Sequence, residues 1–235
     1  GAGLRVIEFL GGKHANFNMA LWRRDLAETV TKAELDALVT AIGAMTDGVD
    51  MLAFTQQPLR WQSVANPLAS FAAQPSTNPC PMMTMVPGCK PEERVSTSTR
   101  RRLRNKERKL QALPGYRYFI ATNDDDINRL LDSFFVIKPQ RMALSKLPDI
   151  FSDPATKAFV RDACLVKLPN GGRAIELHAL ECDAELISIF ACVADGERFS
   201  TMFNTYTISE NARYSPGLIL LRYMIDHFGD LGYAS

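Results

Sequence analysis

Ala174-Ile-Glu-Leu-His-Ala-Leu-Glu-Cys-Asp-Ala-Glu-Leu-Ile-Ser-Ile-Phe-Ala-Cys-Val-Ala-Asp-Gly-Glu-Arg-Phe-Ser-Thr-Met-Phe-Asn-Thr-Tyr206 reads as three β-strands joined by tight turns. The strands are Ala174–Cys182, Leu186–Ala194 and Arg198–Tyr206, with turns at Asp183-Ala184 and Asp195-Gly196. So close a spacing leaves room only for hairpins, which makes the unit an antiparallel meander. The middle strand is apolar at nearly every position and must be covered on both faces. The third alternates Phe199, Thr201, Phe203 and Thr205 with Ser200, Met202, Asn204 and Tyr206, so one of its faces can be polar.

Downstream, Ser215 caps a helix with Pro216 in its first turn. Leu218, Leu221 and Ile225 form its expected buried stripe, and Gly229 ends it. Leu231–Ser235 lies where a further strand would begin. Upstream, Tyr116–Ala121 alternates as a strand, Asp124 opens a helix through Phe135, and Asp153–Cys164 forms another before the turn Pro169–Gly172. Thr97–Leu113 combines helix formers with Leu103, Leu110 and Leu113 and stops at Pro114-Gly115; it is expected as a mostly solvated helix joining two halves.

The first half is less regular. Leu4–Leu10 reads as extended, Met19–Leu26 as a short helix or strand, and Val49–Thr55 as a strand. Lys32–Met45 places Leu35, Leu38, Val39 and Ile42 at helical spacing behind the cap Thr31, with Glu34 in the first turn. Gln56–Pro91, rich in Pro, Ser, Asn and Gln, is too long for an empty loop and should hold short elements or part of a cleft.

With 235 residues, 46% hydrophobic and 23% charged, the chain has the balance of a core-forming globular protein, which excludes collagen-like, coiled-coil and disordered classes. No apolar run approaches the roughly 20 residues of a membrane span. The start lacks a secretory pattern, so a cytoplasmic location is expected. Five cysteines without a C-x-x-C pair support neither a zinc ribbon nor a disulfide framework, and a reduced, mostly buried set is expected. Arg100–Lys109 holds seven basic residues and one acidic, +6, which leaves 20 basic against 25 acidic elsewhere, −5, from totals of 27 and 26. The basic character is therefore local.

Four strings, in order, carry a resemblance: Gly12-Lys-His-Ala-Asn-Phe-Asn18, Arg100–Leu110, Phe134-Phe135 with Lys138 and Arg141, and Arg213-Tyr-Ser-Pro-Gly-Leu-Ile-Leu-Leu221. Together with the meander–helix order, they resemble the CelD/BcsL family of the GNAT superfamily, acetyltransferases linked to cellulose or exopolysaccharide biosynthesis. The resemblance implies an α/β, GNAT-like fold of two tandem lobes, each a mixed central sheet flanked by helices, as in the related FemABX peptidyltransferases. The lobes would be residues 1–98 and 115–235, with 99–114 the basic connecting helix.

The resemblance also implies acetyl-CoA or another acyl-CoA as co-substrate. Its pantetheine arm would run beside Phe203, Asn204 and Tyr206, and its pyrophosphate would meet Arg213, Ser215, Gly217 and Leu218 at a helix start. The chain departs from the usual phosphate signature, because Arg213 precedes a single Gly217 by four residues and Pro216 lacks an N–H. The family's C-terminal strand and Gly-Asp-x-x-Tyr-Lys-like segment are expected beyond Ser235.

Acyl transfer needs deprotonation of the acceptor and a proton for the leaving thiolate. Tyr206 and Tyr214 are candidates for the second task, or else packing residues. Glu176 and His178, on one side of a strand, are candidates to activate the acceptor, or else a solvent-facing polar edge. His14, Asn16 and Asn18 would hold a sugar hydroxyl or satisfy a turn. Lys138 and Arg141 would contact an acceptor carboxylate or phosphate, although Pro139 predicts that the helix is ending there. His14, His178 and His227 are scattered, so no metal is expected, and Cys164 reads as a buried thiol.

The function expected is transfer of an acyl group to an amine or hydroxyl on a small-molecule or saccharide acceptor, in cellulose or exopolysaccharide biosynthesis. One alternative is a FemABX-like transferase using aminoacyl-tRNA, for which Arg100–Lys109 would serve the tRNA. The other is a non-catalytic binding protein of polysaccharide assembly.

Overall fold

The computed structural model describes residues 3–10, 15, 17–76, 80–85, 90, 93 and 95–235. Contacts divide the chain into two compact units, Gly1–Pro81 and Met82–Ser235. His14, Asn16 and Cys89 lie outside the described residues.

In the first unit, β1 (Val6–Glu8) pairs in parallel with β2 (Met51–Ala53), while β3 (Arg60–Trp61) and β4 (Val64–Ala65) form a small hairpin. Helix α1 (Arg24–Thr29) precedes α2 (Lys32–Ala44). Thr31 and Glu34 form a full capping box at the start of α2, as their spacing predicts. Leu35 is buried, but Leu38 is 41% exposed. Leu38, Val39 and Ile42 border an apolar cavity of about 330 Å³ with Ile7, Phe54 and Leu68 instead of filling a closed core.

The second unit is a three-layer sandwich. Its sheet has the order β5 (Arg117–Ala121), β6 (Glu176–Cys182), β7 (Glu185–Ala194), β8 (Phe199–Tyr206), antiparallel throughout. Helices α4 (Asp124–Leu144) and α5 (Pro154–Leu165) cover one face. There Ile127, Leu130, Leu131 and Phe134 close over Leu177, Ala179, Ile189 and Ala191. Helices α3 (Thr97–Gln111) and α6 (Pro216–Asp230) cover the other, packing Leu103, Leu110, Ile219, Leu220, Met224 and Phe228 against Leu180, Ile187, Phe190 and Cys192. The central β7 is thus covered on both sides, as its apolar run requires.

Three expectations change. Helix α4 continues to Leu144 with Pro139 inside it, where Phe135 and Ile137 still pack against the core. The missing Pro N–H costs one helical bond, and tertiary packing outweighs it. The buried stripe of α6 is Ile219, Leu220, Met224 and Phe228; Leu218 is 51% exposed, and Leu221 and Ile225 are only half-buried. Helix α3, expected to be mostly solvated, buries Leu103, Glu107 and Leu110 within the second unit, and Arg222 of α6 forks onto Glu107 with two 2.9 Å bonds.

Candidate active site

The edge strand β8 and the loop that follows it bring most of the candidate residues together. Along β8 the pairing steps from Phe203 to Thr201 while β7 advances one residue, from Ala191 to Cys192, so β8 carries a one-residue bulge at Met202. Bulges on edge strands re-aim the backbone and raise the local twist. Beyond Tyr206 the chain turns through residues 207–209 and a 3-10 turn, Glu210–Tyr214, into α6.

That connection is held by one carboxylate. Glu185, at the start of β7, accepts hydrogen bonds from Thr207 Oγ1, from Ser209 Oγ at 2.9 Å and from Asn211 Nδ2 at 2.7 Å. Sequence reasoning missed Glu185, because its partners lie 22 to 26 residues away and no local pattern links them.

Ser215 stands at the head of α6 in the left-handed region (φ 57, ψ 50), and its side chain makes no helix-capping bond. Its Oγ instead accepts from Lys106 Nζ of α3 at 2.7 Å. A non-glycine residue held there costs about 1–3 kcal/mol, which the surrounding contacts must outweigh. Pro216 has no N–H, and those of Leu218 and Ile219 bond the Ser215 carbonyl at 3.1 and 3.2 Å. At Gly217 an added Cβ would sit 3.7 Å from Tyr206 Cδ1, an ordinary contact, so the packing of the chain itself does not demand glycine there.

Lys138 and Arg141 are drawn to the same strand end. Lys138 Nζ donates to the Asn204 carbonyl at 2.9 Å, and the Arg141 guanidinium lies 3.4 Å from the centroid of the Tyr206 ring. Burial, and then the neighbouring Arg141, lower the Lys138 ammonium below its ordinary value. Phe203 packs its ring against the core, 4.9 Å centroid to centroid from Phe134. Asn204 is exposed. Tyr214 packs beside the core, and its hydroxyl accepts from exposed Arg213 at 2.8 Å.

Glu176 and His178 do share a face, with His178 Nε2 and Glu176 Oε2 3.5 Å apart. The polar-edge expectation fails for His178, which is completely buried beneath α6; Tyr118 Oη lies 2.8 Å from its Nδ1, and Phe228 and His227 pack on its ring. His178 nonetheless has neighbours with ligand atoms: cross-strand pairing brings those of Glu176, His178 and Cys192 within 4.8 Å of one another. Burial, with Glu176 nearby, pushes the Cys192 thiol up, which opposes the thiolate a metal would need. Cys164 is buried as expected, and burial pushes its thiol up to about 12.

Asn18 is 4% exposed, and its groups are engaged within the first unit: its N–H and Nδ2 donate to Gln56 at 3.0 Å each, and its carbonyl accepts from Gln57 Nε2. Among the described residues no helix is long and apolar enough to cross a membrane.

A strand, two helices, an antiparallel meander and a helix leaving its bulged edge strand define a mixed α/β core. Residues 97–235 match the family model of the acetyltransferase (GNAT) domain, and the chain belongs to that family. It is a GNAT-type acetyltransferase; such domains take the acyl group from acyl-CoA and pass it to small acceptors. No curated protein matches the chain.

Proposed function

We propose that the chain transfers an acetyl or other acyl group from acyl-CoA to an amine or hydroxyl on a saccharide acceptor, as a CelD/BcsL-type member of the family with two tandem GNAT-like lobes. The observation that carries the donor half is the bulged edge strand β8 feeding, through the Glu185-held loop, into the Ser215–Leu218 helix start. Pantetheine would lie along Phe203–Tyr206, with its amides against strand backbone, and the phosphates would lie at Arg213–Leu218. Tyr206 or Tyr214, at the two ends of the connection from β8 to α6, would protonate the leaving thiolate.

Lys138 and Arg141 would set the acceptor side. Lys138, whose ammonium reaches the Asn204 carbonyl, and Arg141, stacked on Tyr206, would receive an acceptor carboxylate or phosphate. Glu176 and His178 act, in this proposal, through Tyr118 and the α6 packing rather than on the acceptor, because His178 has no exposed surface. Release of free coenzyme A thiol from acetyl-CoA, measured with β-glucan oligosaccharides and with amino sugars as acceptors, tests the proposal. Acceptor-dependent thiol release supports it; thiol release unchanged by any saccharide would overturn the acceptor assignment.

A further inference from the structure

Helix α3 has two faces with different tasks. Leu103, Glu107 and Leu110, at i, i+4 and i+7, are buried. One step round the helix, Arg102, Lys106 and Lys109 repeat the same spacing and, with Arg101, line a cavity of about 600 Å³ whose other wall is Arg213 and Tyr214. Five cationic side chains therefore face one volume. Among the described residues only Arg213 has a carboxylate within ion-pair distance, Glu210 at 3.7 Å; Arg101, Arg102, Lys106 and Lys109 have none. The cavity adjoins the head of α6, because Lys106 reaches from it to Ser215 Oγ.

The helix start is poor in backbone donors, for Pro216 lacks an N–H and those of Leu218 and Ile219 are engaged by Ser215. A ligand bringing several phosphates to this corner would find few N–H groups but an excess of cations. From this we infer that α3 supplies a side-chain phosphate site in place of a backbone one, and that it holds the ribose 3′-phosphate of the donor coenzyme. The monoester carries close to two charges and is the most concentrated anionic group on that molecule. Lys106, bonded to Ser215 Oγ, and Arg213, two residues before it in sequence, would face the pyrophosphate; Arg101, Arg102 and Lys109, which line the same cavity, would face the 3′-phosphate. The chain then selects 3′-phosphorylated coenzyme A over its dephosphorylated form.

The inference rests on the acyl-CoA donor proposed above, and the test separates the two. Calorimetric titration of coenzyme A and of 3′-dephospho-coenzyme A into the full chain should show a preference of about tenfold or more for the former, of the size of one charge-assisted contact. The preference should shrink as salt rises. Arg102→Gln combined with Lys109→Gln, both exposed substitutions, should abolish the preference while leaving the dephosphorylated ligand's affinity unchanged. Equal affinities in the unaltered chain, or a double variant that weakens both ligands alike, would overturn the 3′-phosphate site while the donor reading stands. Binding of neither coenzyme form would overturn both, and capture of an RNA hairpin in that case would assign the cavity to a polynucleotide.

Discussion

Lys106 on α3 donates to Ser215 Oγ at the head of α6 at 2.7 Å, across 109 positions of chain. The bond ties a strained left-handed residue to the basic helix, so the geometry of the helix start depends on a side chain far away in sequence. Lys106→Met should raise the KM for acetyl-CoA several-fold and lower stability by about 1 kcal/mol, since it removes one cation and one part-buried hydrogen bond. Ser215→Val should also lower stability, by about 1–3 kcal/mol, because a β-branched residue resists the left-handed region. Steady-state kinetics beside thermal melts would separate these effects.

The Glu107–Arg222 fork predicts a marked coupling. Glu107 is 4% exposed and Arg222 partly so, with both guanidinium bonds at 2.9 Å. Truncating Glu107 to Ala should cost about 3 kcal/mol, the low end for a broken buried pair because Arg222 can reach water. Replacing both by Met should cost less than that single change. Urea unfolding of Glu107→Met, Arg222→Met and the double variant gives the coupling directly.

Glu185 organises the 207–211 loop without touching the proposed ligand path. Glu185→Ala should therefore act on donor binding more than on the chemical step, raising KM for acetyl-CoA with kcat changed less. Glu185→Gln, which keeps an acceptor oxygen, should restore part of the loss. Equal loss of kcat in both variants would place the residue in another role.

A pH dependence follows from His227. Burial, and then His178, hold its imidazole below the ordinary value, against smaller opposite pulls from Glu176 and Asp230. A base depressed in the fold binds fewer protons there than in the unfolded chain, so its contribution is complete above the unfolded value, about 6.5, and is lost as pH falls through the folded one. The thermal midpoint should drop between pH 7.5 and 5.5, and His227→Gln should flatten that drop. An unchanged slope in the variant would remove His227 as the source.

How much of this was written in local sequence depends on the range of the interaction. The meander strands were legible to within two residues at each end, because hairpin turns and alternation are local signals. The α2 capping box was equally plain. The α6 stripe slipped by about one position because Leu218, Leu221 and Ile225 are as apolar as Ile219, Leu220 and Met224, and only the sheet beneath chooses between the two faces. The Lys106–Ser215 bond, the role of Glu185 and the burial of His178 had no local signature, since each is fixed by a partner more than 20 residues away. Lys138 and Arg141 were found by resemblance, but their convergence on Asn204 and Tyr206 needed the packing of α4 on β8.

Calorimetric titration of acetyl-CoA into the unaltered chain and into Gly217→Glu bears most directly on the donor site. The variant places a carboxylate at the helix start, and Gly217→Ala, whose Cβ has 3.7 Å to its nearest neighbour, serves as the folding control. Saturable binding to the unaltered chain, lost in Gly217→Glu while its melting curve stays cooperative, is the predicted result. Binding that Gly217→Glu leaves intact, or no binding to the unaltered chain, would contradict a donor site at the Ser215–Leu218 helix start.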